Sequence, residues 1–262
     1  MVLDLKHLIR NAADFWFPRG ITCIGCGEDI FDERYGLCPS CLKDLEIICG
    51  RICRRCGRPL PEMSTSLCYA CFGKLTSFKG NVAVAAYSDL AQQLIFKYKY
   101  KDHRYIGYHM AEMMAELLQT TWISDVDYIV GVPSSKKRIR QRGYCQMALL
   151  AEHMSEMTGL RHLKRVLVRT QDTPRMKKLN RDARTEALKG CFEVQAPGSI
   201  SGSSVLLIDD IMTTGATLEI CSRALLEAGA SEVWTMTFAT VYDNQPSANI
   251  SFWERIRQLF NC

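Results

Sequence analysis

The chain has 262 residues, 47% of them hydrophobic and 23% charged, with 33 basic residues against 28 acidic ones and 13 cysteines. That length fits one large domain or a main domain with a small satellite, and the apolar share excludes wholesale disorder. No stretch approaches the ~20 uninterrupted apolar residues of a membrane helix. Asp4, Lys6, His7 and Arg10 break the leading leucines, so a signal-peptide core is missing and the expectation is a cytoplasmic protein without a membrane span.

Over 1–19, Leu5, Leu8, Ile9, Ala12, Phe15 and Trp16 recur at helical spacing before Pro18, which predicts an N-terminal helix packed on the body. Nine of the 13 cysteines follow between Cys23 and Cys71, eight of them in C-x-x-C pairs: Cys23/Cys26, Cys38/Cys41, Cys53/Cys56 and Cys68/Cys71. Each half reads C-x2-C-x11-C-x2-C, and the second repeats the first at an offset of 30 residues. Gly27 and Gly57 follow the first pair of each half, and Leu37 and Leu67 precede the second. Two turns that each present two sulfurs can close a tetrahedral four-thiolate zinc site at about 2.3 Å per bond. A disulfide framework would need an oxidising compartment that nothing else in the chain suggests. The spacing therefore predicts a double zinc ribbon over 20–75 with two structural zinc ions. Consecutive and cross-braced pairings both satisfy it; the matching halves favour the consecutive one, because each repeat then carries a complete ligand set. Four thiolates saturate the metal and leave no open position for catalysis. Cys49, Cys145, Cys191, Cys221 and Cys262 lack a partner pattern and read as small apolar residues.

Zinc changes the charge arithmetic. Each four-thiolate site contributes −2, so two sites lower the formal +5 to +1. Net charge alone therefore gives no argument for nucleic acid. Distribution is more telling: residues 136–142 (KKRIRQR) hold five Lys/Arg and no acid, and residues 161–189 hold ten against three. A concentrated basic face can bind phosphate on a nearly neutral molecule.

Beyond the cysteines, 82–87 (VAVAAY) predicts a strand and 89–98 and 103–121 predict helices. Within 97–105 (KYKYKDHRY), Tyr98, Tyr100 and Tyr105 interleave with basic residues, and Tyr144 lies further on; a single-strand stacking platform has this composition. An amphipathic helix with its tyrosines packed inward is the favoured reading. Residues 127–132 (DYIVGV) form a short apolar run, 143–158 a helix, 163–168 a strand and 172–190 a charged stretch. Val205–Ile208 reads as a buried strand, 215–228 as a helix ending at Gly229, and 233–239 as a strand. Strands alternating with helices imply an α/β domain, here over 80–245, with a parallel sheet covered on both faces. A terminal segment, 246–262, carries Trp253, Ile256, Leu259 and Phe260 at 3–4 spacing and is expected to cover the body.

The sharpest segment of this domain is 205–218, VLLIDDIMTTGATL. An apolar strand ends in two carboxylates, and a Thr/Gly turn then opens a helix. Thr213, Thr214, Gly215, Ala216 and Thr217 offer hydroxyls, free N–H groups and a positive dipole end, which suit a phosphate. Asp209 and Asp210 can accept hydrogen bonds from vicinal sugar hydroxyls, and beside phosphate oxygens they would repel, so the pattern spells a 5-phosphorylated ribose. A P-loop is excluded because G-x4-GK[ST] is missing, and a dinucleotide fingerprint because G-x-G-x-x-G is missing.

This run resembles the 5-phosphoribosyl-1-pyrophosphate (PRPP) signature of type I phosphoribosyltransferases. The whole chain resembles the ComF family, proteins of bacterial DNA uptake with a double zinc ribbon ahead of an amidophosphoribosyltransferase-like domain. Phe17-Pro18, the C-x-x-C repeats, the Val132-Pro133 turn, Arg142-Gly143-Tyr144 with Gln146, and DDIMTTGAT carry that resemblance. It implies that Asp209 and Asp210 hold the ribose hydroxyls and that Thr213–Thr217 cradle the 5-phosphate. Val132, Pro133, Ser134 and Ser135 stand at the pyrophosphate loop, with Lys136, Arg138 and Arg142 as anion contacts. Arg175, Lys177, Lys178, Arg181 and Arg184 lie on a flexible loop that closes over the diphosphate. It further implies Mg2+ bound with PRPP, a phosphoribosyl transfer to an acceptor, and single-stranded DNA and other competence proteins as partners.

Overall fold

The computed structural model describes residues 21–31, 33–61, 65–100, 103–171, 188 and 190–242. The expected helix of 1–19, the segment 246–262, Cys262 and the basic residues Arg175, Lys177, Lys178, Arg181 and Arg184 lie outside the described residues. In chain order the elements are α1 (Pro39–Asp44), β1 (Asn81–Ala86), α2 (Asp89–Tyr100), α3 (Ile106–Thr120), β2 (Tyr128–Gly131), α4 (Lys136–Arg142) and α5 (Gln146–Thr158). They continue with β3 (Arg161–His162), β4 (Leu167–Arg169), β5 (Phe192–Val194), β6 (Ser204–Met212), α6 (Ala216–Glu227) and β7 (Glu232–Thr240). Five strands pair in parallel in the order β1-β7-β6-β2-β3, as the alternation of strands and helices predicts.

β6 reads as a continuous apolar run because both of its faces are covered. Leu206 and Ile208 join Leu94 of α2, Met110 and Met114 of α3 and Leu150 of α5. Val205 and Leu207 point the other way and join Leu218, Cys221 and Leu225 of α6. The cysteine repeats divide between the same two faces: Cys23, Cys38 and Cys41 pack into the first cluster, and Cys53, Cys56 and Cys71 into the second. Each repeat thus seals one side of the sheet. Cys191 and Cys221 are buried as small apolar residues, as expected, while Cys49 and Cys145 are half-buried. Among the described residues no helix is long and apolar enough to cross a membrane.

Two expectations are corrected. The basic run 136–142 forms a helix, α4, closed by Gly143 at φ +79, so the helix expected over 143–158 begins only at Gln146. The strand expected over 163–168 is split by Arg165, whose φ of +61 breaks the extended path. Arg161–His162 extends the main sheet beside β2, and Leu167–Arg169 pairs antiparallel with β5 instead.

Gly131, the last residue of β2, lies where α5 crosses the sheet closely: a Cβ there would sit 2.6 Å from the Met147 carbonyl oxygen. Backbone on both sides cannot yield cheaply. Gly131→Ala is expected to lower stability by about 2–3 kcal/mol, read as a lower urea midpoint with an unchanged slope.

Candidate functional site

After β2 the chain turns toward β3, and after β6 it turns toward β7 on the opposite side. The carboxyl ends of β2 and β6 therefore mark a topological switch point, where open α/β sheets leave a crevice for ligands. The Val132 N–H donates to the Ile208 carbonyl at 2.9 Å and keeps the two strands together to their ends. Two loops flank the crevice, Val132–Ser135 from β2 and Thr213–Gly215 from β6. Gly215 caps α6 at φ +77, a conformation that L side chains adopt at a cost, and a Cβ there would meet Met212 Cε at 2.8 Å. The Thr214 hydroxyl accepts weakly from the Ala216 N–H, at 3.5 Å. The loop and helix thus present the positive end of a 12-residue helix to the crevice.

The pleat of β6 separates its two acids. Asp210 follows Leu206 and Ile208 onto the α2 face, where it is 4% exposed and ion-paired with Lys99. Asp209 is half-buried, and its Oδ1 accepts the Asp210 N–H at 2.9 Å. The side-by-side pair expected for two vicinal hydroxyls is therefore splayed, because successive strand residues face opposite ways. Burial and the adjacent Asp210 charge raise the Asp209 carboxyl to about 7, while Lys99, the Asp210 N–H and Arg138 pull it down. For Lys99, burial lowers its pKa, but the charge and hydrogen bond of Asp210 outweigh it and hold the ammonium above its ordinary value. Sequence reasoning missed Lys99: its signal, KYKYK, shows only as helical spacing until the helix is laid against β6.

The β2 loop is more heterogeneous. Pro133 and Ser134 are half-buried, whereas Ser135 is 6% exposed and caps α4, its hydroxyl accepting from the Arg138 N–H at 3.4 Å. Arg138 is exposed, and its charge is felt by Asp209. Arg142 points elsewhere: it donates to Gln146 Oε1 at 2.8 Å and lies 4.6 Å over the Tyr100 ring. The tyrosines divide likewise. Tyr98 is fully buried and donates to the Gln146 carbonyl at 2.6 Å, the inward packing that was favoured. Tyr100 and Tyr105 are 60% and 46% exposed.

The eight paired cysteines form two consecutive sets, Cys23/Cys26/Cys38/Cys41 and Cys53/Cys56/Cys68/Cys71, with all sulfurs of a set within 4.8 Å of one another. Both sets repeat one local bond, an N–H donated across the knuckle at 3.3 Å, from Cys38 to Cys23 Sγ and from Cys68 to Cys53 Sγ. Within the first set the sulfurs shift in opposite directions: against burial, N–H donors of Cys38, Cys26 and Gly25 pull the Cys23 thiol down, while burial and the neighbouring sulfurs push Cys41 up. Four soft, converging sulfurs fit a closed structural zinc site. Both knuckles also reach the body. Lys97 of α2 donates to the carbonyls of Ile24 at 3.0 Å and Gly25 at 2.6 Å. The Cys56 carbonyl accepts from Asn81 Nδ2 at 3.2 Å and from the Thr240 hydroxyl at 3.4 Å.

A parallel sheet with its crevice between β2 and β6, preceded by two four-cysteine knuckles, defines the class of a ribbon-bearing phosphoribosyltransferase fold. The chain belongs to the phosphoribosyl transferase domain family, whose model matches residues 98–256, and the double zinc ribbon domain matches residues 12–72. It is 28% identical to competence protein ComFC of Bacillus subtilis, over 76% of this chain and 80% of that protein. It is 26% identical to competence protein F of Haemophilus influenzae, over 80% and 93%. These relatives bear out the resemblance to the ComF family. Among solved structures, glutamine PRPP amidotransferase from B. subtilis is 17% identical with a TM-score of 0.38; the match covers 63% of this chain and 38% of that one.

Proposed function

We propose that this chain is a ComF-like protein of bacterial DNA uptake that binds Mg-PRPP in the crevice between β2 and β6, with a structural zinc ion in each cysteine repeat. The observation that carries the reading is the topological switch point between the carboxyl ends of β2 and β6, with the α6 N-terminus and a half-buried carboxylate, Asp209, beside it. Thr213, Thr214, Gly215, Ala216 and Thr217 would take the 5-phosphate through N–H groups and hydroxyls. Asp209 would accept the ribose hydroxyls, with Asp210 held in place by Lys99. Pro133, Ser134 and Ser135 would stand under the diphosphate, with Arg138, exposed and felt by Asp209, as a cation beside it. Mg2+ bound with the diphosphate supplies charge neutralisation of the leaving group. Arg138, exposed on α4, would stabilise the charge that develops there, so transfer of the phosphoribosyl group to an acceptor is the reaction this arrangement supports. The double zinc ribbon and the competence proteins among the relatives support the biological setting.

Calorimetry with Mg-PRPP tests this. Wild type is expected to bind and the Asp209→Asn/Asp210→Asn variant to lose binding; a screen of nucleobases and amines for diphosphate release then identifies an acceptor. Equal binding by both proteins removes the site assignment.

A second reading, a single-stranded-DNA-binding protein with a non-catalytic PRPP site, has its own supporting observation. Phe96 and Tyr100 are 52% and 60% exposed with ring centroids 5.0 Å apart, Arg142 covers Tyr100, and Arg104 lies 4.5 Å over Tyr144. Interleaved rings and guanidinium groups suit stacked bases. This reading expects an affinity for oligonucleotides that falls steeply with salt and drops on Tyr100→Ala, without diphosphate release.

A further inference from the structure

We propose that Arg58, contributed by the second cysteine repeat and not by the phosphoribosyltransferase domain, binds the phosphate ester of the ligand held by the β6–α6 loop. The inference rests on the PRPP reading and adds to it a residue from outside the family's domain. Arg58 Nη2 lies 3.5 Å from the carbonyl oxygen of Thr213, at the first residue of the loop, a long contact that leaves the guanidinium under-used. Its Nε is buried and finds no acceptor in the protein. Among the described residues Arg58 has no carboxylate partner either. A guanidinium carries five N–H donors and stays charged at any physiological pH. A half-buried guanidinium with its Nε unpaired, beside a loop of hydroxyls and helix N–H groups, matches a tetrahedral oxyanion that accepts two parallel hydrogen bonds.

The position of Arg58 is fixed rather than accidental. The Cys53 N–H donates to the Arg58 carbonyl at 2.7 Å, so closure of the knuckle sets the Arg58 backbone. Gly57, at φ +73, lets the turn press on the start of β1, where a Cβ would lie 3.0 Å from Asn81 Nδ2 and 3.1 Å from the Asn81 carbonyl. Where the repeat ends, Ser77 donates from its N–H at 2.9 Å and from its hydroxyl at 2.7 Å to Glu219, in the first turn of α6. The ribbon is thereby bolted to the helix whose N-terminus forms the phosphate cradle.

The experiment separates the two ends of the ligand. Calorimetry on the full chain uses ribose 5-phosphate and, separately, magnesium diphosphate as probes, with wild type, Arg58→Ala and the near-isosteric Arg58→Gln. Loss of a bidentate charged contact is expected to weaken ribose 5-phosphate about 30-fold in both variants, with diphosphate affinity and zinc content unchanged. Wild-type affinity for ribose 5-phosphate in both variants, or an equal loss for both probes, overturns the role of Arg58 and leaves the PRPP site standing. If wild type binds neither probe, the PRPP reading falls and this inference falls with it.

Discussion

Asp209→Asn is expected to raise the melting temperature at pH 8 while removing ribose binding. The carboxyl titrates at about 7 in the folded protein, because burial and the neighbouring Asp210 charge oppose ionisation, against about 3.9 in an unfolded chain. Between those two values the folded state keeps a proton that the unfolded state has lost, so stability falls as pH rises from about 4 to about 7 and is level above it. At pH 8 the ionised Asp209 therefore carries its whole cost, about 2 kcal/mol after allowance for partial exposure. The asparagine removes that cost and should add on the order of 5 °C; at pH 4 the two proteins should melt together. Ligand affinity should show the reverse order. Wild-type affinity for ribose 5-phosphate rises with pH through about 7, as the carboxylate becomes available, and the asparagine variant loses about 100-fold at pH 8 from two charge-assisted hydrogen bonds. Lys99→Met supplies the opposite sign on stability. It strands Asp210, 4% exposed, without its cation, and should cost about 3 kcal/mol. Melting curves at pH 4 and 8 for both variants check this, and a lower melting temperature for Asp209→Asn at pH 8 would contradict the strained-carboxylate account.

What the sequence made legible was the chemistry contained in short segments. The four C-x-x-C pairs, the buried β6 strand and the Thr/Gly turn each carry their information within a dozen residues, and the structure assembles the cysteines as consecutive sets. The contacts that adjust the site were illegible because they join distant positions. Lys99 meets Asp210 across 111 residues, and Arg58 meets Thr213 across 155. In each case helix or loop spacing alone reads as an exposed basic residue. The splaying of Asp209 and Asp210 was derivable, since two adjacent residues of a strand face opposite ways. The apolar run that marks the strand stops at Ile208, whereas β6 runs on to Met212 and takes both acids into the pleat. Arg165 marks a different limit: nothing in residues 163–168 signals that a non-glycine residue will adopt φ +61 and divide the predicted strand.

Removal of zinc is expected to have the largest effect of all, because the metal sites and the ligand site share their supports. Structural zinc contributes roughly 10–16 kcal/mol of apparent binding free energy in isolated finger peptides, more than the ~5–15 kcal/mol that holds a typical domain together. Here the loss reaches beyond the knuckles themselves. Cys23, Cys38 and Cys41 are part of the cluster that covers the α2–α3 face, and Cys53, Cys56 and Cys71 part of the one that covers the α6 face. Lys97, held by the Ile24 and Gly25 carbonyls of the first knuckle, stands two residues before Lys99 on α2, so that knuckle's order bears on the Asp210 pair. The second knuckle bears on Thr240 and on the Thr213 loop. Wild type should contain two zinc ions per chain by elemental analysis. Chelation should lower the melting temperature by at least about 6 °C, from a loss of at least ~3 kcal/mol at ~2–4 °C per kcal/mol. The two sites should differ in a graded way: Cys68→Ser, at the less buried corner of the second set, should weaken ribose 5-phosphate binding more than Cys26→Ser, at the exposed corner of the first, because Arg58 of the second repeat reaches the Thr213 loop directly. Two zinc ions released with no change in melting temperature, or equal ligand affinities in the two serine variants, would separate the ribbons from the site and leave them as independent modules.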